Sequence, residues 1–352
     1  MTTLLSSHPL KTLIKSTALL CGLSLFLPSG AQAEGKLNIY CSVQNTTCEK
    51  VAQAFSKKYN VKTQFVRNST GTVLGKIKTE KDNPQGDVWY GGTLEPHLQA
   101  ADLGLLEKYR SPNQKDILPI FKDLTEKRGE YTSVIYLMEL SMGINSKKLA
   151  SLNIEPPKCF ADLLDPRFKN QIQYADPRVS GTGYSFLIAL VSLWGEEKAF
   201  DFLAKLNKNI AQYTKSGLAT SNLASGEVAV DISFFHTYVR EKEKGAPVEG
   251  VYPCEGTAYT LGATSIIKGA RNLDNAKLFT DWALTPEAQE VHWREADSYQ
   301  LPANIHAQYY PGMHVPANPK IIDIDFIRFG SNEQSKRLIE RWVNGILSNQ
   351  PQ

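Results

Sequence analysis

Val61-Lys62-Thr63-Gln64-Phe65-Val66-Arg67-Asn68-Ser69-Thr70-Gly71-Thr72 reads as a strand that runs straight into the start of a helix. The same wording returns twice. Asp87-Val88-Trp89-Tyr90 leads into Gly91-Gly92-Thr93, and residues 171–174 lead through Ala175-Asp176-Pro177-Arg178-Val179 into Ser180-Gly181-Thr182-Gly183. A helix start presents backbone N–H groups without intrahelical acceptors and the positive end of the dipole, and Ser/Thr hydroxyls add short donors. Glycine lets the backbone come close to a bulky anion. One such junction is ordinary capping. Three in one chain, with no catalytic signature beside them, predict a cleft that holds a small anion.

Around these junctions strands and helices alternate: strands at 36–40, 61–66 and 87–90, helices at 48–59, 71–81 and 94–101. That alternation predicts an α/β domain with a mainly parallel sheet. Ligands of such sheets sit beyond the carboxyl ends of the strands, where all three clusters and Ser42 fall. A second unit starts near 132–144 and takes in the strand ending at Tyr174 and helices at 184–193 and 196–206. In it Thr214-Lys215-Ser216-Gly217 opens a short helix to Ala224, and a buried strand at 228–232 leads into Ser233-Phe234-Phe235-His236. From Tyr259 to about Glu290 the chain returns to the first unit, and an amphipathic helix at 320–347 closes it.

The first residues set the compartment. Lys11 and Lys15 precede an apolar stretch at 16–27 and an Ala31-Gln32-Ala33 cleavage pattern, the form of a signal peptide cut before Glu34. No later stretch approaches the ~18 apolar residues of a membrane span. Cys21 lacks the small preceding residue that a lipoprotein signal wants. Removing residues 1–33 leaves 37 basic against 36 acidic residues, so no basic stripe points to nucleic acid or an anionic membrane. Four cysteines remain for an oxidising periplasm. We expect Cys41 with Cys48, which leaves Cys159 with Cys254; the count alone allows three pairings. With no C-x-x-C and no clustered histidines, neither a metal nor a cofactor is expected. H-E-x-x-H, G-x-S-x-G and a complete Walker A loop are absent, so the chain reads as a binding protein and not as an enzyme.

Ser69-Thr70-Gly71-Thr72, Asn83-Pro84-Gln85-Gly86-Asp87-Val88-Trp89-Tyr90-Gly91-Gly92-Thr93, Ala161-Asp162-Leu163-Leu164-Asp165-Pro166, Ser180-Gly181-Thr182-Gly183-Tyr184 and Glu255-Gly256-Thr257 together carry a resemblance. They resemble the extracellular solute-binding proteins of ABC importers, in the branch with ferric-ion-binding proteins, and within it the hexose-phosphate-binding (AfuA-type) proteins. The resemblance implies a type II periplasmic binding protein fold: two discontinuous α/β lobes, hinged, with the ligand between them. The expected lobes are 34–132 with 259–315, and 133–258 with 316–352. It also implies an inner-membrane ABC permease with its ATPase as partner, a sensor histidine kinase as a further one, and a monomer. The expected ligand is a hexose phosphate, with a small phosphonate such as 2-aminoethylphosphonate as the alternative. Iron is disfavoured: Gln44 and Gly92 stand where the ferric branch has a histidine and a glutamate, and Ser233–Phe235 lacks its tyrosine pair.

The resemblance makes Ser180, with Gly181 and Thr182, the first candidates for a phosphate contact. Ser42, Ser69, Thr70, Thr72, Gly92, Thr93 and Ser216 join them as small donors at helix starts, each also readable as a plain cap. Arg67 and Arg178 are candidate phosphate partners or solvated strand-end arginines. His236 and Glu255 match the sugar-contacting histidine and glutamate of the sugar-phosphate relatives; alone they read as a buried histidine and a turn-capping carboxylate. Thr237 stands where those relatives often carry aspartate. Of Trp89, Tyr90, Tyr184, Phe234 and Phe235, one or two are expected to reach the ligand.

Overall fold

Short apolar strands ending at Ser/Gly turns need long connections to pair in parallel, and helices supply them. The computed structural model describes residues 35–216, 219–313 and 319–349, so the expected signal peptide and Gly217 lie outside it. Its strands are β1 Lys36–Cys41, β2 Lys62–Arg67, β3 Val88–Tyr90, β4 Ser133–Asn145, β5 Ile172–Ala175, β6 Ile210–Thr214, β7 Val230–Phe234, β8 Val248–Val251 and β9 Thr257–Ile266. They form one path, β2-β1-β3-β9-β4-β7-β5-β6, with β8 added to β4.

The path is two parallel half-sheets joined by an antiparallel middle. β1 pairs in parallel with β2 and β3, and β5 with β6 and β7. Between them lie β9 and the thirteen-residue β4, whose partner changes midway: Ser133–Glu139 face β9, and Leu140–Ile144 face β7. All thirteen residues of β4 are buried. A strand covered on both faces loses the alternation of a half-exposed one, which is why it read only as the start of a new unit.

The carboxyl ends of the two half-sheets point at one another, because each parallel strand leads into a helix on its own flank. Helices Asn45–Tyr59, Thr70–Thr79 and Leu94–Asp102 follow β1, β2 and β3; Gly181–Trp194 and Phe235–Glu243 follow β5 and β7. In Gly181–Trp194 the first eleven residues are buried, so it is a core helix and apolar all round.

Two expectations change. The segment expected to open a helix at Thr214 is instead the end of β6, and the helix starts later, at Thr220–Ser225. The closing amphipathic stretch is not one helix: β11 (Ile321–Ile322, after β10 at Leu301–Pro302) and a turn of helix at Phe326–Phe329 precede the helix Asn332–Gly345. Trp342 of that helix is fully buried and donates to the Tyr174 hydroxyl at 3.0 Å, while Arg337 and Arg341 bind Glu196 and Glu197 at its rim. The tryptophan, worth roughly 2–3 kcal/mol of buried apolar surface, anchors the helix more than the solvent-screened ion pairs do. Both expected disulfides are present, Cys41–Cys48 and Cys159–Cys254, the second closing 95 residues of chain.

Candidate functional site

Six parallel strand ends meet at a small cavity of about 40 Å³. Ser42 follows β1, Arg67 ends β2 with Ser69 and Thr70 after it, and Gly92 and Thr93 follow β3. From the other half-sheet come Ser180 and Thr182 after β5, Ser216 after β6, and Phe234 and His236 at the end of β7. Eleven of the fourteen candidate ligand residues are thus at the wall or, for Gly181, directly behind it.

Among the described residues, the serine and threonine N-caps at this wall are built differently from those elsewhere. Ser111, Asn145, Thr285, Asp325 and Ser331 cap their own helices through their side chains. Ser69, Thr93 and Ser180 hold the same N-cap position and do not. Ser69 Oγ instead donates to the Val179 carbonyl at 2.7 Å, across to the other half-sheet. Thr93 Oγ1 is buried without a partner, as are Gln44 Nε2 and His236 Nδ1, all on residues lining the cavity. Unpaired buried polar atoms cost about 1–3 kcal/mol each, so these three are open to hydrogen bonds with a polar solute.

Charge at the wall has one sign. Among the described residues Arg67 is its sole permanent charge and no carboxylate lines the cavity; Arg67 Nε donates to the Val43 carbonyl at 3.0 Å and Nη2 to Ser216 Oγ at 3.2 Å. Burial lowers the Arg67 pKa, the direction expected of an ion stripped of water and lacking a counter-charge. Burial also pushes His236 down to about 3, so its imidazole is neutral and offers one donor or acceptor nitrogen. Ser42 Oγ accepts from Trp89 Nε1 at 3.1 Å, which leaves its own proton available to a solute.

The Gly91-Gly92 turn brings backbone to the cavity. Both residues have positive φ, 76° and 88°, and a Cβ at Gly92 would overlap Thr70 and Ser42. Tyr136 pins the turn: its hydroxyl accepts from Gly92 N at 2.8 Å and donates to Gly92 O at 3.2 Å. Gly181 serves closeness of another kind, since a Cβ there would overlap the Thr93 side chain from the opposite half-sheet.

Three candidates belong elsewhere. Glu255 accepts from Phe160 N at 2.8 Å and Ala161 N at 3.0 Å, capping the turn at Phe160–Leu164 outside the cavity wall. Arg178 is closed on Asp176, with Nη2 to Oδ2 at 2.6 Å, and lines an outer groove with Gly181. Thr72 is exposed and bonded to Ser69. Thr237 turns into the core to donate to the Phe234 carbonyl at 2.6 Å. Among the aromatics named from sequence, Phe234 alone lines the cavity. Trp89 stacks on His97, Tyr90 meets His292, Tyr184 donates to the Phe329 carbonyl and Phe235 stacks on Tyr252.

Val43, Gln44, Tyr136, Met138 and Gln300 also line the cavity and were not singled out for it. Tyr136, Met138 and Gln300 come from the middle strand and from a loop far along the chain, with no motif around them. A hard cation finds no anionic donor here, the lone tyrosine being held by Gly92. Among the described residues, the one group of three clustered metal-type ligands is Cys159, Cys254 and Glu255, and its sulfurs are bonded to each other.

Comparison with known proteins shows the family and the fold. A family model described as bacterial extracellular solute-binding protein matches residues 96–329. The structure of the periplasmic binding protein P5PA is similar with a TM-score of 0.87 and 54% identity, covering 89% of this chain and 99% of that one. The structure of the periplasmic binding protein AfuA from Actinobacillus pleuropneumoniae, with exogenous fructose-6-phosphate bound, gives 0.87 and 50% over the same shares. An uncharacterised Haemophilus influenzae protein is 49% identical over 94% of this chain and 96% of its own length. A putative 2-aminoethylphosphonate-binding periplasmic protein of Salmonella typhimurium is more distant, 26% identical over 68% of this chain and 71% of its own. The chain, with its mixed α/β sheet, belongs to the bacterial extracellular solute-binding proteins.

Proposed function

We propose that this protein captures a small phosphorylated solute, foremost a hexose phosphate, in the periplasm and delivers it to an inner-membrane ABC permease. The observation that carries the reading is the wall itself: uncapped helix starts, three unpaired polar atoms and one half-buried guanidinium, with no carboxylate among the described residues to oppose an anion. Helix N-termini, serine hydroxyls and an arginine are the donor set that phosphate oxygens take. The fructose-6-phosphate in the AfuA structure supports a sugar as the remainder. With Glu255 and Thr237 turned away, that sugar would be met by Gln44, Gln300 and His236. A role as the receptor of a sensor kinase would use the same capture step.

The lobes we assign are 34–132 with 259–315 and 133–258 with 316–352. The partner exchange within β4 supports a crossing between lobes in that strand, but at Glu139/Leu140, seven residues beyond the assigned bound, so we take β4 as a hinge strand. Closure would bring Ser69 to Val179, Arg67 to Ser216 and Thr93 to Gly181, excluding water so that the helix dipoles act at low dielectric.

A thermal-shift panel on ligand-stripped protein tests the ligand class. Glucose 6-phosphate or fructose 6-phosphate at ~100 times its dissociation constant should add ~2.7 kcal/mol, while glucose adds nothing. A shift with 2-aminoethylphosphonate alone would replace the sugar phosphate; silence from every phosphorylated compound would overturn the proposal.

A further inference from the structure

Behind the cavity wall runs a chain of hydrogen bonds made by protein alone. The Tyr90 hydroxyl lies 2.7 Å from His292 Nε2, and His292 Nδ1 lies 3.2 Å from Gln300 Oε1. Ser298 Oγ lies 2.5 Å from that same oxygen and 3.2 Å from Gln44 Oε1. All five side chains are buried, and Gln44 and Gln300 also line the cavity.

Counting protons decides how the two amides are turned. A serine hydroxyl has one proton, and here it faces two carbonyl oxygens while Gln44 Nε2 has no partner. An amide's oxygen and nitrogen can be exchanged by a half-turn without moving any other atom. Turning Gln300 would let its NH2 donate to Ser298 and to His292 Nδ1. His292 would then carry its proton on Nε2, facing the hydroxyl of Tyr90, whose proton would lose its one acceptor. Turning Gln44 instead gives every contact in the chain one donor and one acceptor, and leaves only the Gln44 oxygen, in the place of the unpartnered nitrogen, without a partner. Its NH2 donates to Ser298 Oγ, Ser298 and His292 Nδ1–H both donate to Gln300 Oε1, and Tyr90 donates to His292 Nε2.

We infer that Gln44 presents its carbonyl oxygen to the cavity and is a specificity-determining acceptor, requiring a hydroxyl or amino proton of the solute. The inference rests on the cavity being the solute site. It gives the site a fixed polarity, with phosphate donors at the helix starts and an acceptor at Gln44 for the remainder of the solute. A phosphorylated compound with an ether or carbonyl oxygen at that point would meet an oxygen and be refused.

Neutron diffraction from ligand-free, perdeuterated crystals reads the amide directly. The expected map has the deuterium pair of Gln44 on the atom beside Ser298 Oγ. Deuterium on the cavity-facing atom would overturn the assignment, and this result does not depend on which solute binds. Titration of a Gln44→Met variant by calorimetry reads the role: about tenfold weaker binding of glucose 6-phosphate, with inorganic phosphate unchanged within twofold. Unchanged glucose 6-phosphate binding, or equal loss for both probes, would contradict it.

Discussion

At the scale of single residues, the site is defined by what its side chains leave undone. Serine and threonine at a helix N-cap ordinarily turn back onto the helix, a bond worth about 1 kcal/mol. Ser69, Thr93 and Ser180 forgo it where three helices meet the cavity. Arg67 is half-buried, with hydrogen bonds but no counter-charge at the cavity wall among the described residues. An arginine so placed strengthens anion binding most when its charge cannot be replaced by a shape-alike. Arg67→Met should therefore weaken binding of a phosphorylated sugar by about 10²-fold, measured by calorimetry, while leaving the thermal midpoint of the ligand-free protein equal or higher. A lower midpoint with unchanged affinity would make Arg67 a structural residue.

At the scale of elements, β4 combines length, full burial and a carboxylate where its pairing changes. Glu139 pairs with Tyr259 of β9, and the next residue, Leu140, pairs with Phe234 of β7. Neither Glu139 oxygen has a hydrogen-bond partner, and burial pushes the carboxyl up to about 7 from an ordinary 4.5. A folded-state pKa above the unfolded one contributes stability that is present below about pH 4.5 and lost as pH rises through 7. His97, His236 and His292, held neutral by burial at about 3, 3 and 4, act oppositely and lose stability as pH falls below 6.5. Comparing variant with parent cancels the histidines. Glu139→Gln should thus gain on the order of 3 kcal/mol relative to the parent between pH 5 and pH 8 in urea melts. A difference that is flat with pH would show that Glu139 ionises freely.

The same elements show what a sequence makes legible. The Ser/Gly junctions after β2, β3 and β5 were readable because helix-start chemistry is local: the capping type, the glycine and the strand before it lie within a few residues. β6 was not, since Ile210-Ala211-Gln212-Tyr213-Thr214 is short and polar at its centre and is held by pairing with β5. Gln300, Tyr136 and Met138 reach the cavity through tertiary placement alone, and no local pattern marks them. Glu255 carries two readings in the sequence because a carboxylate in a Gly-Thr turn looks the same whether it faces a solute or, as here, the amides of Phe160 and Ala161.

At the scale of the whole molecule, two parallel half-sheets direct their strand ends at one cavity, and contacts across it hold them together. Ser69 to Val179 and Arg67 to Ser216 are hydrogen bonds; Thr93 against Gly181 is bare packing. The last contact separates closure from local folding. Adding a methyl group with Gly181→Ala places it against the opposite half-sheet. It should weaken solute binding about tenfold and reduce the solute-induced compaction seen by small-angle scattering, with the ligand-free midpoint nearly unchanged. Full compaction and full affinity in that variant would mean the two halves do not meet there when a solute is bound.

The central claim, that an anion is held at uncapped helix starts, is tested most directly by titrating glucose 6-phosphate into parent and Ser180→Ala/Thr182→Ala protein. The account predicts at least a thirtyfold loss of affinity in the double variant, about 1 kcal/mol per hydroxyl, with the ligand-free thermal midpoint preserved. Equal affinity in the two proteins would contradict it.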